Sequence, residues 1–288
     1  MKITVYIPSF NQREYLVEAI DSVLAQTLRP HQIVLVDDCS SDGSQLVISG
    51  YASKYPSLIT PIFHEKNLGV AHSRIDALKA ATGDYVTYVD GDDRYLPHKL
   101  EEEAKIARQH SNPVVVFSNF YFVSESGTRL RTWAEKTLPP QGNTLAAAYA
   151  RDFPGGNLFR CELIPRAFLE EIGTYDDQLK IYEDWDFKLR LTSKFQAYYC
   201  PKPASEYRWC PTGLSKCATY QRLKIMRKVY RKNASLLHSL PTTEAKIAEK
   251  KLSQKVLNAS RKATQEEFKK GNYINALEAY RCFLICKL

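Results

Sequence analysis

Gly83-Asp-Tyr-Val-Thr-Tyr-Val-Asp-Gly-Asp-Asp93 decides how this chain folds, because an apolar, β-branched run stops abruptly in three carboxylates. Such a run suits a buried strand, and Asp with Gly suits the turn after it. In an open α/β sheet, ligands bind outside the carboxyl ends of the strands, so Asp90, Asp92 and Asp93 stand where a ligand would sit. The Asp90-Gly-Asp92 spacing lets two carboxylates meet one hard divalent cation or its waters. Mg²⁺ is commonly held by one or two carboxylates together with substrate phosphates, which makes a diphosphate substrate the matching expectation. The plainer alternative for a lone Asp-x-Asp is an acidic turn.

The flanking segments decide between these readings. Upstream, Lys2–Ile7 reads as a strand ending at Pro8, and Asn11–Gln26 carries apolar residues at helical spacing. Gln32-Ile-Val-Leu-Val-Asp37 is a second apolar strand that also ends in acid, Asp37-Asp38, before the turn residues Cys39-Ser-Ser-Asp-Gly-Ser44. A helix to about Tyr55, a strand near Leu58–Phe63, a turn at Glu65–Gly69 and a helix over Val70–Ala81 follow. Pro97 opens a helix containing Glu101-Glu-Glu103, and Pro113–Phe122 is another apolar strand. Strands alternating with helices over the first 122 residues describe βαβ units and a mostly parallel, Rossmann-like sheet. Neither G-x-G-x-x-G after the first strand nor G-x-x-x-x-G-K-[ST] anywhere is present, which disfavours a dinucleotide dehydrogenase and a P-loop NTPase.

From Ser124 to Gly156 the pattern weakens. A short helix is expected over Pro165–Ile172, another opening at Tyr182-Glu-Asp-Trp-Asp-Phe187 with Phe187, Leu189 and Leu191 inward, and two short closing strands at Ala197–Tyr199 and Ala204–Trp209. Capping by one of the three acids Glu183, Asp184 and Asp186 is the bland account of that helix start.

A chain of 288 residues with 44% hydrophobic and 25% charged residues has the composition of an ordinary globular protein. No run reaches the roughly 18 apolar residues of a membrane span, and the start is too short and strand-like for a signal peptide, so a cytoplasmic protein is expected. Seven cysteines without C-x-x-C spacing indicate reduced thiols rather than a disulfide framework or a zinc site. The net charge of +8 is uneven: residues 1–218 carry −3 and residues 219–288 carry +11. The expected organisation is therefore a domain over 1–218 and a basic helical region over 219–288. Gln265–Tyr280 of that region resembles half of a tetratricopeptide repeat. This appendage would pack on the first domain or dimerise. Its charge suits a peripheral contact with the inner, anionic face of a membrane, or a solvated surface, ahead of nucleic acid.

Five segments in order resemble the family-2 inverting glycosyltransferases of the GT-A fold: Ile7-Pro-Ser-Phe-Asn11, Val36–Ser44, Asn67-Leu-Gly with Arg74, Asp84 to Asp93, and Glu183-Asp-Trp-Asp-Phe187. The resemblance covers residues 1 to about 215. It implies an α/β GT-A fold, a nucleotide-diphospho-sugar donor with uridine as the base, and a glycan, lipid-linked or protein acceptor. It further implies that Pro8 and Asp38 help to hold the nucleoside, that Arg74 lies near the base or diphosphate, and that Asp90 addresses the ribose. Asp92 would ligate Mn²⁺ or Mg²⁺, and Asp184 would be the general base. Trp185 itself reads as an aromatic wall against the acceptor sugar, with core packing as the alternative. Tyr207–Ser215 resembles the family's closing segment, although Trp209 and Cys210 stand where the family often has His. The Q-x-x-R-W signature of processive synthases is absent, so transfer of a single sugar is expected. The alternatives are a nucleotidyltransferase of similar sheet architecture, for which Pro8-Ser-Phe-Asn11 offers no basic Gly-rich loop, and a binding module that uses the basic tail.

Overall fold

A computed structural model describes residues 1–209 and 219–285. The first part runs β1 (Ile3–Ser9), α1 (Arg13–Leu24), β2 (Gln32–Asp37), α2 (Ser44–Lys54), β3 (Ile59–Phe63), α3 (Val70–Ala80) and β4 (Tyr85–Tyr88). It continues through β5 (Arg94–Tyr95), α4 (Lys99–Arg108), β6 (Val115–Val123), β7 (Arg129–Thr132), α5 (Leu145–Ala150), β8 (Ile164–Pro165), α6 (Phe168–Ile172), α7 (Glu183–Lys194) and β9 (Ala197–Arg208). The first sheet has the order β3-β2-β1-β4-β8, parallel except for β8. Every residue of β1 and β2 is buried, as expected of central strands covered on both faces. On α1 the buried stripe is Leu16, Ala19, Ile20 and Val23, at the spacing of one helical face. Gly83 admits β4 beside β1, since a Cβ there would lie 2.7 Å from the Thr4 backbone N and 2.9 Å from the Lys2 backbone O.

The sheet differs from the sequence expectation at its far side. The Pro113–Phe122 strand does not extend the parallel sheet but enters a second one, ordered β5-β9-β6-β7, in which β6 pairs parallel with β9. Ala197–Arg208 is one strand rather than two, because register shifts at Ser118–Phe120 of β6 accommodate the segment containing Pro201 and Pro203. Pro165 belongs to the edge strand β8, so the helix expected from Pro165 begins only at Phe168. The weakly patterned stretch contains β7 and α5, too short for periodicity to show.

The tail is helical: α8 (Thr219–Lys232), a 3₁₀ turn at Ala234–Ser239, α9 (Thr242–Lys269) and α10 (Tyr273–Ile285). It packs on the rest of the chain. Asn233 Nδ2 and Lys232 Nζ both reach Asp186 Oδ1 at 2.9 Å, and Lys255 Nζ donates to the Arg151 carbonyl at 2.6 Å. Part of the tail's positive charge is thus turned toward the body of the protein. No helix among the described residues is long and apolar enough to cross a membrane. Cys210–Ser215 of the closing segment, and the boundary expected at 218, lie outside the described residues or at their edge.

Candidate active site

The tip of β4 is held against the end of β1: Gly91 N donates to the Pro8 carbonyl at 3.1 Å, and Asp93 N to the Asp90 carbonyl at 2.9 Å. A Cβ on Gly91 would lie 3.2 Å from that carbonyl and 2.6 Å from Gln12 Oε1, so the central residue of Asp-Gly-Asp is small for steric reasons. Two arginines then sort the three carboxylates. Asp90 receives Arg74 Nη2 on Oδ1 at 2.8 Å and Arg160 Nη2 on Oδ2 at 2.7 Å. Asp93 receives Arg160 Nη2 at 2.9 Å and the Arg208 backbone N at 2.8 Å. Burial would raise the Asp90 carboxyl, but the two guanidiniums outweigh it and hold it below the ordinary carboxylate range. Asp92 is half-buried, and among the described residues no other side chain hydrogen-bonds or ion-pairs with its carboxylate. Burial and the charge of Asp90 push its pKa up, so a cation there would relieve a real penalty.

Arg74 joins this tip to the start of α7. The residue is only 5% exposed, its guanidinium lies over the Tyr88 and Tyr175 rings, and its Nη1 donates to Glu183 Oε1 at 3.0 Å. The two acidic segments, separated by about ninety residues of sequence, therefore meet across one guanidinium. Their next carboxylates face different conditions. Burial pushes Glu183 up to about 7, against the pull of Arg74. Burial acts on Asp184 as well, but Lys188, Arg74, Arg151 and Arg160 outweigh it and bring its carboxyl below the ordinary range. Asp184 is also the open member of the pair, its side chain 37% exposed. Neighbouring groups whose titration is driven apart in this way mark a division of roles.

Beneath Asp184, Lys188 Nζ lies 3.5 Å from Asp184 Oδ2 and 3.6 Å from Glu162 Oε1. Lys188 and Glu162 are buried, and among the described residues neither Glu162 oxygen has a hydrogen-bond partner. Sequence reasoning missed Arg160, Lys188 and Glu162. Lys188 at one turn after Asp184 was a visible signal, whereas Arg160 lies in a segment without pattern.

The remaining expected residues are placed as follows. Pro8 is buried in β1, opposite Val36 of β2. Asp38 is buried, with Oδ1 accepting Leu68 N at 2.8 Å and Oδ2 accepting Gly69 N at 2.7 Å, while His64 Nδ1 lies 2.8 Å from Oδ1. It thus fixes the Asn67-Leu-Gly turn, in which Gly69 takes φ 92°, a value that favours glycine. Trp185 departs from the expectation of an acceptor wall. It is wholly buried and its Nε1 donates to the Ala148 carbonyl at 2.9 Å, because α7 turns this face toward α5. Tyr182 and Arg151 cover it from outside.

Set beside known proteins, residues 4–173 match the sequence model described as glycosyl transferase family 2. An uncharacterized protein of Mycobacterium tuberculosis is 37% identical over 123 residues, 42% of this chain and 36% of that protein. A Bacillus subtilis protein named for teichuronic acid biosynthesis, TuaG, is 34% identical over 129 residues, 44% of this chain and 50% of its own. The chain thus spans about a third to a half of the length of these relatives. Among solved structures, S. aureus TarS 1–349 in complex with UDP-GlcNAc superposes with a TM-score of 0.72 at 23% identity, covering 98% of this chain and 82% of the other. That likeness confirms a GT-A-like α/β fold continuing into the helical tail.

Proposed function

The chain belongs to glycosyl transferase family 2, and from that premise we propose that it moves a single sugar from a nucleoside-diphosphate donor to a hydroxyl acceptor, with inversion, in glycan or polysaccharide assembly. The observation that carries this reading is the Arg74 bridge between Asp90 and Glu183, which leaves one carboxylate open on each side of it, Asp92 and Asp184. A uridine nucleotide is the proposed donor base, supported by the UDP-GlcNAc complex of TarS, and polysaccharide assembly by the naming of TuaG.

Each residue has a definable task. The acceptor hydroxyl attacks C1 of the sugar, its proton passes to an Asp184 oxygen, and the bond from C1 to the diphosphate oxygen breaks with its electron pair leaving on the diphosphate. Attack from the face opposite the leaving group inverts the anomeric centre. Lys188 and the neighbouring arginines keep Asp184 ionised so that it can accept the proton. Arg74 holds the β4 tip and the α7 start at a fixed separation. Asp90 is assigned to the ribose, and Pro8 with the turn built on Asp38 to the nucleoside.

The donor set at Asp92 suits Mn²⁺ or Mg²⁺. Its carboxylate is half-buried and without a side-chain partner among the described residues, and such ions are held by one or two carboxylates when substrate phosphates complete the shell. The ion would supply Lewis-acid neutralisation of the charge developing on the diphosphate.

Binding and turnover across a panel of nucleotide sugars, with Mn²⁺ and with chelator, test the assignment on wild type, Asp92→Ala and Asp184→Asn. One donor should bind in a metal-dependent way that Asp92→Ala abolishes. Asp184→Asn should bind it normally and lose about 10²–10⁴ of the rate. If no nucleotide sugar binds under any condition, the proposal is wrong.

A further inference from the structure

Two residues before Asp184 the chain enters the wall of a cleft of about 270 Å³ between the start of α7 and the tail. Tyr182 lines it from the position just before α7, Arg222, Leu223 and Met226 from α8, and Asn258 and Lys262 from α9. Its charge is one-sided: no acid lines it among the described residues. Arg222 Nε reaches the Tyr182 hydroxyl at 3.4 Å, and no carboxylate pairs with Arg222 among the described residues. Arg151 lies on the ring of the same tyrosine, 5.0 Å from its centroid, and likewise pairs with no carboxylate among the described residues. Among the described residues Lys262 pairs only with Glu266 of its own helix, at 3.7 Å, and its side chain is 70% exposed. The field of this cluster reaches the candidate base, since Arg151 helps to lower the Asp184 carboxyl.

Tyr182 sits between these cations at φ 63°, a backbone conformation that a bulky residue adopts only when its surroundings enforce it. The Tyr182 ring with Leu223 and Met226 offers an apolar floor, and the guanidinium of Arg222 offers a planar fork suited to phosphate or carboxylate oxygens. We infer that this cleft, walled by the tail, is the acceptor subsite and that it takes an anionic group, phosphate or carboxylate, carried by the acceptor glycan close to the hydroxyl that receives the sugar. This rests on the transferase reading and adds to it both a class of acceptor and a task for the basic tail, which would supply half of the site.

The test uses the full chain and three short probes of equal length: a phosphodiester-linked glycerol oligomer, a uronic acid oligomer and a neutral oligosaccharide. Binding is measured by calorimetry in the presence of the donor selected by the panel, on wild type, Arg222→Ala and Arg222→Ala/Lys262→Ala. Both side chains are exposed, so the variants fold, and unchanged donor affinity verifies it. At least one anionic oligomer should bind wild type more tightly than the neutral one, weaken as salt rises, and bind Arg222→Ala at least about tenfold less tightly. The phosphodiester and uronate arms tell the two anions apart. Equal binding of neutral and anionic probes, or no loss in either variant, overturns the inference while normal donor binding leaves the transferase reading intact. Absence of donor binding overturns both.

Discussion

Arg74→Met removes the one guanidinium that joins the two acidic segments, and its consequences follow from the geometry. Arg74 is 5% exposed and holds Asp90 at 2.8 Å and Glu183 at 3.0 Å. Methionine fills most of the volume but leaves both carboxylates without that partner. Removing one member of a buried ion pair costs about 3–5 kcal/mol. Asp90 keeps Arg160, whereas Glu183 keeps nothing comparable, so the pH dependence resides in Glu183. Its folded pKa of about 7 lies above the ordinary 4.5. The folded state therefore holds the proton more tightly, and stability falls as pH rises from 4.5 toward 7. Loss of Arg74, which pulls that value down, extends the fall to higher pH at about 1.4 kcal/mol per pKa unit. Urea unfolding followed by the fluorescence of the buried Trp133 and Trp185 should show a loss near the lower end of that range, about 3 kcal/mol, at pH 6 and nearer about 5 kcal/mol at pH 8. Arg74→Lys should recover only part of this, because one ammonium cannot present two parallel donors to two acids. A loss below about 1 kcal/mol, typical of exposed pairs, or a loss that does not grow between pH 6 and pH 8, would refute the account of Arg74 as the clamp of the site.

Lys188→Met should raise the acid limb of the kcat/KM profile, since Lys188 is the largest of the charges that lower Asp184; an unmoved limb would show that Lys188 does not tune the base. In wild type the depressed Asp184 carboxyl contributes stability above its ordinary pKa of 3.8 that is lost as pH falls through the folded value, and Lys188→Met should shrink that acid-side loss in pH-dependent unfolding. Gly83→Ala should destabilise by about 1–3 kcal/mol, because the new Cβ meets Thr4 and Lys2 backbone atoms at 2.7 and 2.9 Å; a melting temperature equal to wild type would show that β4 shifts freely. Asp92→Ala should change urea stability by no more than about 0.5 kcal/mol, since no other side chain among the described residues pairs with it, while donor binding is lost.

Local pattern in the sequence carried the architecture. A strand buried on both faces must be largely apolar, and a turn at its tip must be polar, so β1, and β2 and β4 with their acidic ends, were legible residue by residue, as was the helical tail. The ordered motifs likewise announced the family. Local pattern is silent on pairing, because which cation reaches which carboxylate depends on how distant segments cross. Tertiary structure decided that Arg160 and Arg74 consume Asp90, that Asp93 also goes to Arg160, and that Asp92 is left open. It turned Trp185 inward, split off β6 into a second sheet with β9, and folded the basic tail back until Arg222 stood beside Tyr182. Burial is a property a residue type can advertise along the chain; a partner is a property of the fold, fixed only when loops of no visible periodicity close.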